Sequence, residues 1–238
     1  MTLQLSSLAP FAQGGNRLCF VHPHFNDQCI KVRRPDRPLE QLRASKGFPK
    51  NLRPLSSFDD NLEEYEVMGQ LEKQFGPPVF DLISRCMGFT ESDMGRGLVS
   101  ELIRDGSGPI SHTLKQHLWD HGYTKECQQA LDRFAAKWVT LGVSSRDLLL
   151  HNIVVQLDQQ GRILRLVVID GLGNPNMLPM SLLPARFRRW KAKRKIDNLQ
   201  QRIETLIAQR GSDTFPGYHG QLFHNGMPPS SKESCDEN

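Results

Sequence analysis

The chain has 238 residues, of which 38% are apolar, 24% charged and 8% aromatic, and its formal net charge is +4. This length suits one large domain or two small lobes, and the composition is that of a globular protein. No apolar run approaches the roughly 20 residues that a membrane-spanning helix needs, and residues 1–13 lack the basic lead of a secretion signal. We therefore expect a cytoplasmic protein with no transmembrane segment.

Cysteine usage favours reduced thiols. The cysteines are odd in number, widely spaced and without a C-x-x-C pair; they are Cys19, Cys29, Cys86, Cys127 and Cys235. Because disulfide frameworks and zinc sites use paired or closely spaced cysteines, we expect neither here.

The first predicted elements are two short strands at residues 8–11 and 18–21, joined by a glycine turn. Gly14 and Gly15 tolerate positive φ, and backbone N–H groups in such a turn are able to lie over phosphates. A plain hairpin turn is the alternative, since G-x-G-x-x-G spacing is not met. A third strand at residues 28–32 carries Lys31 inside an apolar run, either at an edge in solvent or aimed at an anion.

Residues 33–53 are polar, basic and interrupted by prolines, which predicts a surface insertion without regular elements. A helix should begin near Asp60 or Asn61, with Asn61 three residues before Glu64 in a capping-box arrangement. Glu63, Glu64 and Glu66 all compete to pair with Lys31. Glu64 is the expected partner, because Met68 four residues later shares its helical face.

The next apolar run, residues 97–103, suits a hinge at which backbone groups of Glu101 and Ile103 bind an adenine edge. Helical patterns follow from Ser111 to Gly122 and from Thr124 to Gly142.

The strongest chemical signal is a loop with Asp147 and Asn152 five residues apart, followed by an apolar strand, a turn at residues 158–161, and a second strand ending in Asp170-Gly171. Asn152 and Asp170 offer hard oxygen ligands of the kind that Mg²⁺ on nucleotide phosphates requires. Asp147 would then orient an attacking hydroxyl or accept its proton. An ordinary hairpin is the alternative, because Asp and Asn are common in loops.

A basic stretch runs from Arg186 to Lys195, with seven basic residues in ten, and leads into a helical apolar stripe at Leu199, Ile203 and Leu206. Such a stretch would suit an anionic partner: a phosphorylated substrate, a nucleic acid or a membrane surface. The alternative is a solvated helix face that binds nothing. From Gly211 onward the composition predicts a frayed tail.

These residues, in this order, resemble the protein-kinase-like superfamily and, more closely, the small bacterial family called the PhoP regulatory network protein YrbL. The resemblance covers about residues 8–194. It is carried by Gln13-Gly14-Gly15-Asn16-Arg17-Leu18-Cys19, His22-Pro23, Cys29-Ile30-Lys31-Val32, Gly97-Leu98-Val99, Asn152-Ile153 and Asp170-Gly171-Leu172-Gly173.

The resemblance implies a two-lobed α+β fold over residues 1–210, with a small antiparallel sheet in an N-lobe (about 1–100), a reduced helical C-lobe (about 104–210) and a disordered tail (211–238). It implies that ATP and Mg²⁺ bind between the lobes, with Lys31 and Glu64 as an ion pair. It places Asp147 in the catalytic position and assigns the metal to Asn152 and Asp170.

The chain departs from the protein-kinase pattern in several places. Ser145-Arg146 precedes Asp147 where kinases have His-Arg, and Leu149 stands where they have a lysine. Asp170-Gly171-Leu172 replaces Asp-Phe-Gly, and no Ala-Pro-Glu segment follows. The short remainder favours a kinase acting on a small-molecule or envelope-related hydroxyl, or a feeble nucleotide binder, over a peptide kinase.

Three functions follow as hypotheses. The first is an ATP- and Mg²⁺-dependent phosphotransferase, in which Asp147 and Lys31 are catalytic. The second is a nucleotide-binding, pseudokinase-like regulator that acts through a partner in the PhoP network. The third is nucleic-acid binding through residues 186–195, with strong salt dependence.

Overall fold

A computed structural model describes residues 2–172, 183–211 and 214–227 of the chain, so Gly173 and Cys235, named above, lie outside it. Seven strands have been assigned there: β1 (Ala12–Gln13), β2 (Arg17–Val21), β3 (Gln28–Arg33), β4 (Cys86–Ser92), β5 (Gly95–Glu101), β6 (Ile153–Leu157) and β7 (Ile163–Val168). The α-helices are α1 (Leu39–Ala44), α2 (Asp60–Phe75), α3 (Leu114–His121), α4 (Lys125–Leu141) and α5 (Ala185–Gln209).

The N-terminal half is an antiparallel sheet with strand order β1-β2-β3-β5-β4. Strand β3 lies in the middle, so its residues 29–32 are buried, and Lys31 lies opposite Cys19 on one side and Leu98 on the other. A Cβ at Gly97 would come within 2.5 Å of Ile30 Cγ2, which explains the glycine on β5. With the helical C-terminal part, this sheet confirms the predicted α+β fold class.

The first predicted strand was wrong in position. Pairing with β2 begins only at Ala12, opposite Cys19, and the preceding Phe11 is buried in a small cluster with Cys29 and Leu102. Apolar sequence alone does not set a strand's bounds, because those depend on which residues meet the partner strand.

The proline-rich insertion is more regular than expected. It contains α1, preceded by Pro38, and a short 3-10 helix at Lys50–Leu52, preceded by Pro49. Proline is compatible with a helix start, because its missing N–H would have no partner there. The prediction that the prolines interrupt every element was therefore wrong.

Helix α2 begins at Asp60, as predicted, but its cap is not Asn61. The Asp59 carboxylate accepts from the backbone N–H groups of Asn61 and Leu62. Asn61 is instead buried, and its amide donates to the Lys31 carbonyl oxygen on β3 at 2.8 Å. The residue that was read as a helix cap therefore ties α2 to the sheet.

The helical part packs α3, α4 and α5 around the β6–β7 hairpin and forms the largest apolar core. Thr124 caps α4, and Gly122 and Gly142 end their helices, which confirms those predictions. The cap of α3 is Thr113, where Ser111 was expected. The core includes Trp138, Leu114, Ile153, Val168, Leu199 and Ile203, so the predicted apolar stripe of α5 is confirmed.

Two further expectations concern membranes and thiols. Across the described ranges, no helix has the length and apolar content that crossing a bilayer would take. Cys19, Cys29, Cys86 and Cys127 are free thiols. Burial raises the pKa of Cys29 to about 12, which keeps that thiol protonated and unreactive at neutral pH.

The C-terminal segment of residues 214–227, which we call the strap, differs from the expected frayed tail. It runs back across the molecule and bonds to both halves. The Phe223 N–H donates to the Phe11 carbonyl at 2.8 Å on the sheet side. On the helical side, Thr113 Oγ1 donates to the Gly220 carbonyl at 2.7 Å and the Ile110 N–H to that of Asn225 at 2.9 Å.

Candidate functional site

A buried ion-pair cluster joins the sheet, α2 and the end of β7. Lys31 Nζ lies 2.6 Å from Glu64 Oε1, and it also donates to the Ile169 carbonyl at 2.8 Å. Arg17, the first residue of β2, lies 2.5 Å from both Glu64 Oε2 and Asp170 Oδ2. Lys31, Glu64 and Arg17 are each less than a tenth exposed, so their charges depend on one another for neutralisation.

Electrostatics in this cluster favour the charged form of every member whose pKa departs from its usual value. Burial alone would lower the pKa of Lys31, but the Glu64 carboxylate beside it raises that pKa. Burial alone would likewise raise the pKa of Asp170, whereas Arg17 and Lys31 hold it well below its usual range. Asp170 is therefore an ionised carboxylate, and its side chain is 46% exposed and accessible to a ligand.

The backbone of Asp147 and the side chain of Asn152 both approach Gly171, the residue after Asp170. This glycine has φ +74°, and a Cβ there would lie 2.6 Å from Asn152 Nδ2 and 3.0 Å from the Asp147 carbonyl oxygen. The Gly171 carbonyl also accepts from the Arg146 N–H at 3.1 Å. The loop after α4 and the end of β7 therefore approach more closely than any residue with a side chain would permit.

We expect Gly171→Ala to destabilise the protein more than Gly161→Ala. Gly161 has nearly the same φ, +78°, but nothing lies within 4 Å of its missing Cβ. The control should lose about 1–2 kcal/mol for the left-handed conformation alone, and Gly171→Ala should lose this plus the cost of separating the Asp147 and Asp170 loops. Urea unfolding of both variants measures the difference, and equal losses would contradict the close approach.

A cavity of about 140 Å³ lies between the sheet and the β6–β7 hairpin. The predicted residues Gly14, Lys31, Glu101, Ile103, Asn152 and Asp170 all line it. Gly15 lines a neighbouring hollow of about 200 Å³ together with Gly14, Arg17, Glu64 and Asp170. Asp147 lines neither of these two spaces and faces α5 instead, where Arg202 Nη2 lies 2.7 Å from its Oδ2.

The predicted hinge lies at the apolar end of the cavity. Two of the backbone groups predicted to meet an adenine edge are already engaged. The Glu101 N–H donates to the Arg85 carbonyl at 2.8 Å, and the Ile103 carbonyl accepts from the Ser111 N–H at 3.0 Å. Ser84, which sequence reasoning missed, also lines this space. Its hydroxyl is buried and has no hydrogen-bond partner among the described residues, a property that it shares with Ser100 and Ser145.

Asn152 and Asp170 are the residues that fit a divalent cation. Both line the cavity, and the low pKa of Asp170 keeps its oxygen ligands charged. Within residues 2–172, 183–211 and 214–227, no group of three or more His, Cys, Asp or Glu side chains could hold a metal ion by itself. An amide, one carboxylate and phosphate oxygens are a typical donor set for Mg²⁺ on a nucleotide.

Sequence reasoning missed Arg17 and the strap. Arg17 and Asp170 are 153 positions apart, so no local pattern marks their contact. The strap contributes His219, Gly220, Gln221 and Leu222 to the cavity wall, although its composition is that of a linker. A lone arginine at the start of a strand and an apolar leucine in a polar tail were the available signals, and both are weak.

The basic stretch lies on the first half of α5. Its two aromatic residues, Phe187 and Trp190, are 40% and 51% exposed and stack with their ring centroids 5.7 Å apart. Lys191 and Arg194 lie over these rings. Binding of an anionic partner at this surface stays a prediction.

Comparison with known proteins gives similarities to curated proteins and to solved structures. The protein called "Uncharacterized protein YrbL" of Escherichia coli (strain K12) is 25% identical over 209 residues, which cover 84% of this chain and 86% of that protein. The one of the same name in Shigella flexneri has the same identity and coverage. A crystal structure of Rad53 1-466 in complex with AMP-PNP matches 87% of this chain with a TM-score of 0.46 and 16% identity.

The chain spans about half of that Rad53 structure, 52% of its length. The sequence pattern of the family described as "PhoP regulatory network protein YrbL" matches residues 3–204, which include every site residue that the sequence predicted but not the strap. Because this match covers well over half of the chain, the protein belongs to the PhoP regulatory network protein YrbL family.

Proposed function

We propose that the protein is an ATP- and Mg²⁺-dependent phosphotransferase that acts on a hydroxyl group of a small-molecule or envelope-related acceptor. One observation carries the proposal. Lys31, the ionised Asp170 and Asn152 line the same cavity, Glu64, which pairs with Lys31, lines the neighbouring hollow, and a second aspartate, Asp147, lies on the adjoining loop. A structural role would not require all of these polar groups to lie around two neighbouring spaces.

In this proposal the base of ATP lies at the apolar end of the cavity, against Leu102, Ile103 and Val154. The unpartnered Ser84 hydroxyl is available there to a ring nitrogen or amino group. The phosphates lie toward Lys31, whose ammonium suits an anion, and beside the turn at Gly14 and Gly15. The Gly14 N–H is already used, because it donates to the Arg17 carbonyl at 2.8 Å. Glu64 holds the Lys31 ammonium in place at 2.6 Å.

The reaction exchanges one phosphorus–oxygen bond for another. The bond between the γ-phosphorus and the oxygen bridging to the β-phosphate breaks, and its electron pair leaves with ADP. A bond forms between the acceptor oxygen and the phosphorus, and Asp147 takes the acceptor's proton. When Mg²⁺ is bound through Asn152 and Asp170, it neutralises charge on the phosphates.

A nucleotide-binding regulator without turnover is the second candidate. It is favoured by the engagement of Asp170 within the chain itself, where Arg17 lies 2.5 Å from its carboxylate. A protein that kept this pair after binding ATP would withhold Asp170 from Mg²⁺ and hold the nucleotide without turnover. The two candidates share the nucleotide site and differ in whether ADP is formed.

The shared nucleotide site is tested by thermal unfolding of the wild type and Asp170→Ala, each with ATP, with and without Mg²⁺. At 100 times the dissociation constant, a ligand that binds only the native state stabilises it by about 2.7 kcal/mol. We expect the wild type to show a Mg²⁺-dependent rise in its midpoint and Asp170→Ala to show none.

Asp36→Ala is the matched control. Asp36 also pairs with an arginine, Arg34 at 2.6 Å, but its side chain is 60% exposed and lines neither cavity. This variant should keep the full Mg²⁺-dependent rise. A rise of equal size in Asp170→Ala would remove Asp170 from the metal site. No rise in the wild type or in Gly220→Ala, a variant described below, would refute nucleotide binding.

A further inference from the structure

Two cations of helix α5 lie beside Asp147, the residue proposed to take the acceptor's proton. We call the surroundings of Asp147 the acceptor end of the site. Arg202 Nη2 donates to Asp147 Oδ2 at 2.7 Å, and Lys195 Nζ lies 3.8 Å from Asp147 Oδ1. Lys195 Nζ also donates to the Arg146 carbonyl oxygen at 2.5 Å. Both side chains are about a third exposed, so they border the solvent-accessible side of Asp147.

These two cations are held by the helix packing. Lys195 and Arg202 are seven positions apart, which is two turns of helix, so they lie on the same side of α5. Leu199 lies between them and Ile203 follows, and both are fully buried in the main core. The backbone that carries the two cations is therefore fixed relative to the loop of Asp147.

The acceptor end is positively charged as a result. One carboxylate faces two cations, whereas the nearby guanidinium of Arg146 is paired with Glu63. Leu149, on the same loop as Asp147, contributes no charge. A phosphoryl group passing to an acceptor carries negative charge on its oxygens and needs fixed cations near them.

We propose that Arg202 is the positioning residue for Asp147 and that Lys195 stabilises the phosphoryl group during transfer. Arg202 fixes the carboxylate that takes the acceptor's proton, and Lys195 holds its ammonium 3.8 Å from the other oxygen of that carboxylate, on the side from which the acceptor would approach. This inference rests on the proposed function.

The test compares Arg202→Met, Arg202→Lys and Lys195→Met with Lys193→Met. Lys193 is an exposed cation on the same helix that pairs with Asp197 at 2.9 Å, away from Asp147. ADP formation and ATP affinity are measured for each variant. We expect Arg202→Met to lower kcat by about 10²-fold, the effect of a misplaced catalytic group, with ATP affinity unchanged.

Arg202→Lys should restore part of the kcat, and added guanidinium ion should restore part of the kcat of Arg202→Ala. Lys195→Met should lower kcat and should weaken the binding of ATP more than the binding of ADP. Lys193→Met should match the wild type in both. If Arg202→Met turns over as fast as Lys193→Met, this inference alone is wrong. A wild type that binds ATP but forms no ADP removes phosphotransfer and this inference together.

A separate observation concerns the strap. Four of its residues, His219 to Leu222, form part of the cavity wall, and Leu222 packs against the cluster of Phe11, Cys29, Leu102 and Ile110, on the side proposed for the base of ATP. Lys115 Nζ donates to the His219 carbonyl at 3.0 Å. With the strap in place, the cavity measures about 140 Å³. Ligand pockets usually measure about 300–1,000 Å³.

We infer that the strap is an autoinhibitory element that must leave the cavity before a nucleotide binds. The contact at Gly220 offers a way to release it. A Cβ there would lie 2.8 Å from His151 Cβ and 3.0 Å from Thr113 Oγ1, so Gly220→Ala cannot keep this contact. Gly217→Ala is the control, because Gly217 also has positive φ but has open space around it.

The test measures hydrogen exchange of residues 219–226 in the full chain and ATP affinity of the two variants. If at most about 10% of molecules have the strap open, a variant that releases the strap should bind ATP at least about tenfold more tightly. We expect this gain in ATP affinity for Gly220→Ala and not for Gly217→Ala. The Phe223 amide should be protected without nucleotide and exchange faster with ATP. An unprotected strap, or slower exchange on ATP binding, overturns the inference.

The failure of nucleotide binding itself is distinguishable from these outcomes. If neither the wild type nor Gly220→Ala binds ATP, the proposed function falls and the strap has nothing to gate. If both bind ATP with equal affinity, the nucleotide site stands and only the autoinhibitory role is wrong.

Discussion

Replacing Asp147 with Asn is expected to lower the rate of ADP formation by about 10²- to 10⁴-fold, the range that a positioned acid or base contributes. Asn keeps the size of the side chain and an oxygen that is able to accept from Arg202 Nη2. It is unable to take the proton of an attacking hydroxyl, so the chemical step is lost while the local structure stays. ADP formation at saturating ATP and Mg²⁺ measures the effect, with water or an added alcohol as acceptor.

Nucleotide affinity should change little in this variant, because Asp147 lines neither the main cavity nor the hollow beside it. Asp197→Asn serves as the control, since Asp197 is an exposed aspartate that pairs with Lys193 on α5. A variant Asp147→Asn with wild-type turnover would refute the role of Asp147 as the proton acceptor. An equal loss in Asp197→Asn would show that the charge balance of α5, and not the site, controls the rate.

The second large effect is expected on stability, from Glu64→Gln. Glu64 is 4% exposed and its two oxygens neutralise two buried cations, Lys31 at 2.6 Å and Arg17 at 2.5 Å. The amide keeps the shape and one acceptor oxygen but removes the charge, so Lys31 and Arg17 lose the carboxylate that lies between them. Removing one partner from a buried ion pair costs about 3–5 kcal/mol, and we expect a loss of this size.

Glu63→Gln is the adjacent control for this measurement. Glu63 lies on the same helix and pairs with Arg146, but both of these side chains are more than a third exposed. Exposed pairs contribute about 0–1 kcal/mol, so urea unfolding should separate the two variants clearly. Similar losses in Glu63→Gln and Glu64→Gln would mean that the Lys31–Glu64–Arg17 cluster is not the charge network that the geometry indicates.

The choice of Glu64 over its neighbours shows how far helical periodicity reaches. Once a helix is assigned over these residues, Glu64 and Met68 share a face, and both are buried in α2. Lys31 stands out for a similar reason, because one charge within an apolar strand must meet another charge or solvent. The helix ends at Gly122 and Gly142 were likewise predictable, since glycine adopts without strain the positive-φ backbone that ends a helix.

Residues whose partners are far away in sequence were beyond such reasoning. Asn61 resembles a helix cap in sequence, but its amide is used by the Lys31 carbonyl on another element, and Asp59 takes the cap. Arg17 meets Asp170 only because β7 ends beside β2, and this arrangement depends on the packing of the whole fold. The strap was missed because a polar, glycine-rich segment gains its order entirely from the surfaces it lies on.

Helix α2 packs into the core of the helical part, and this limits where the chain can be cut into two fragments. Met68 and Leu71 of this helix, with Val79 and Phe80 after it, lie in the same core as α3, α4 and α5, although β4 and β5 come later in the chain. A gene split after Glu101 would therefore yield two fragments that each hold part of one core. We expect neither fragment to fold alone, the mixed fragments to reassemble, and the intact chain to melt in a single transition.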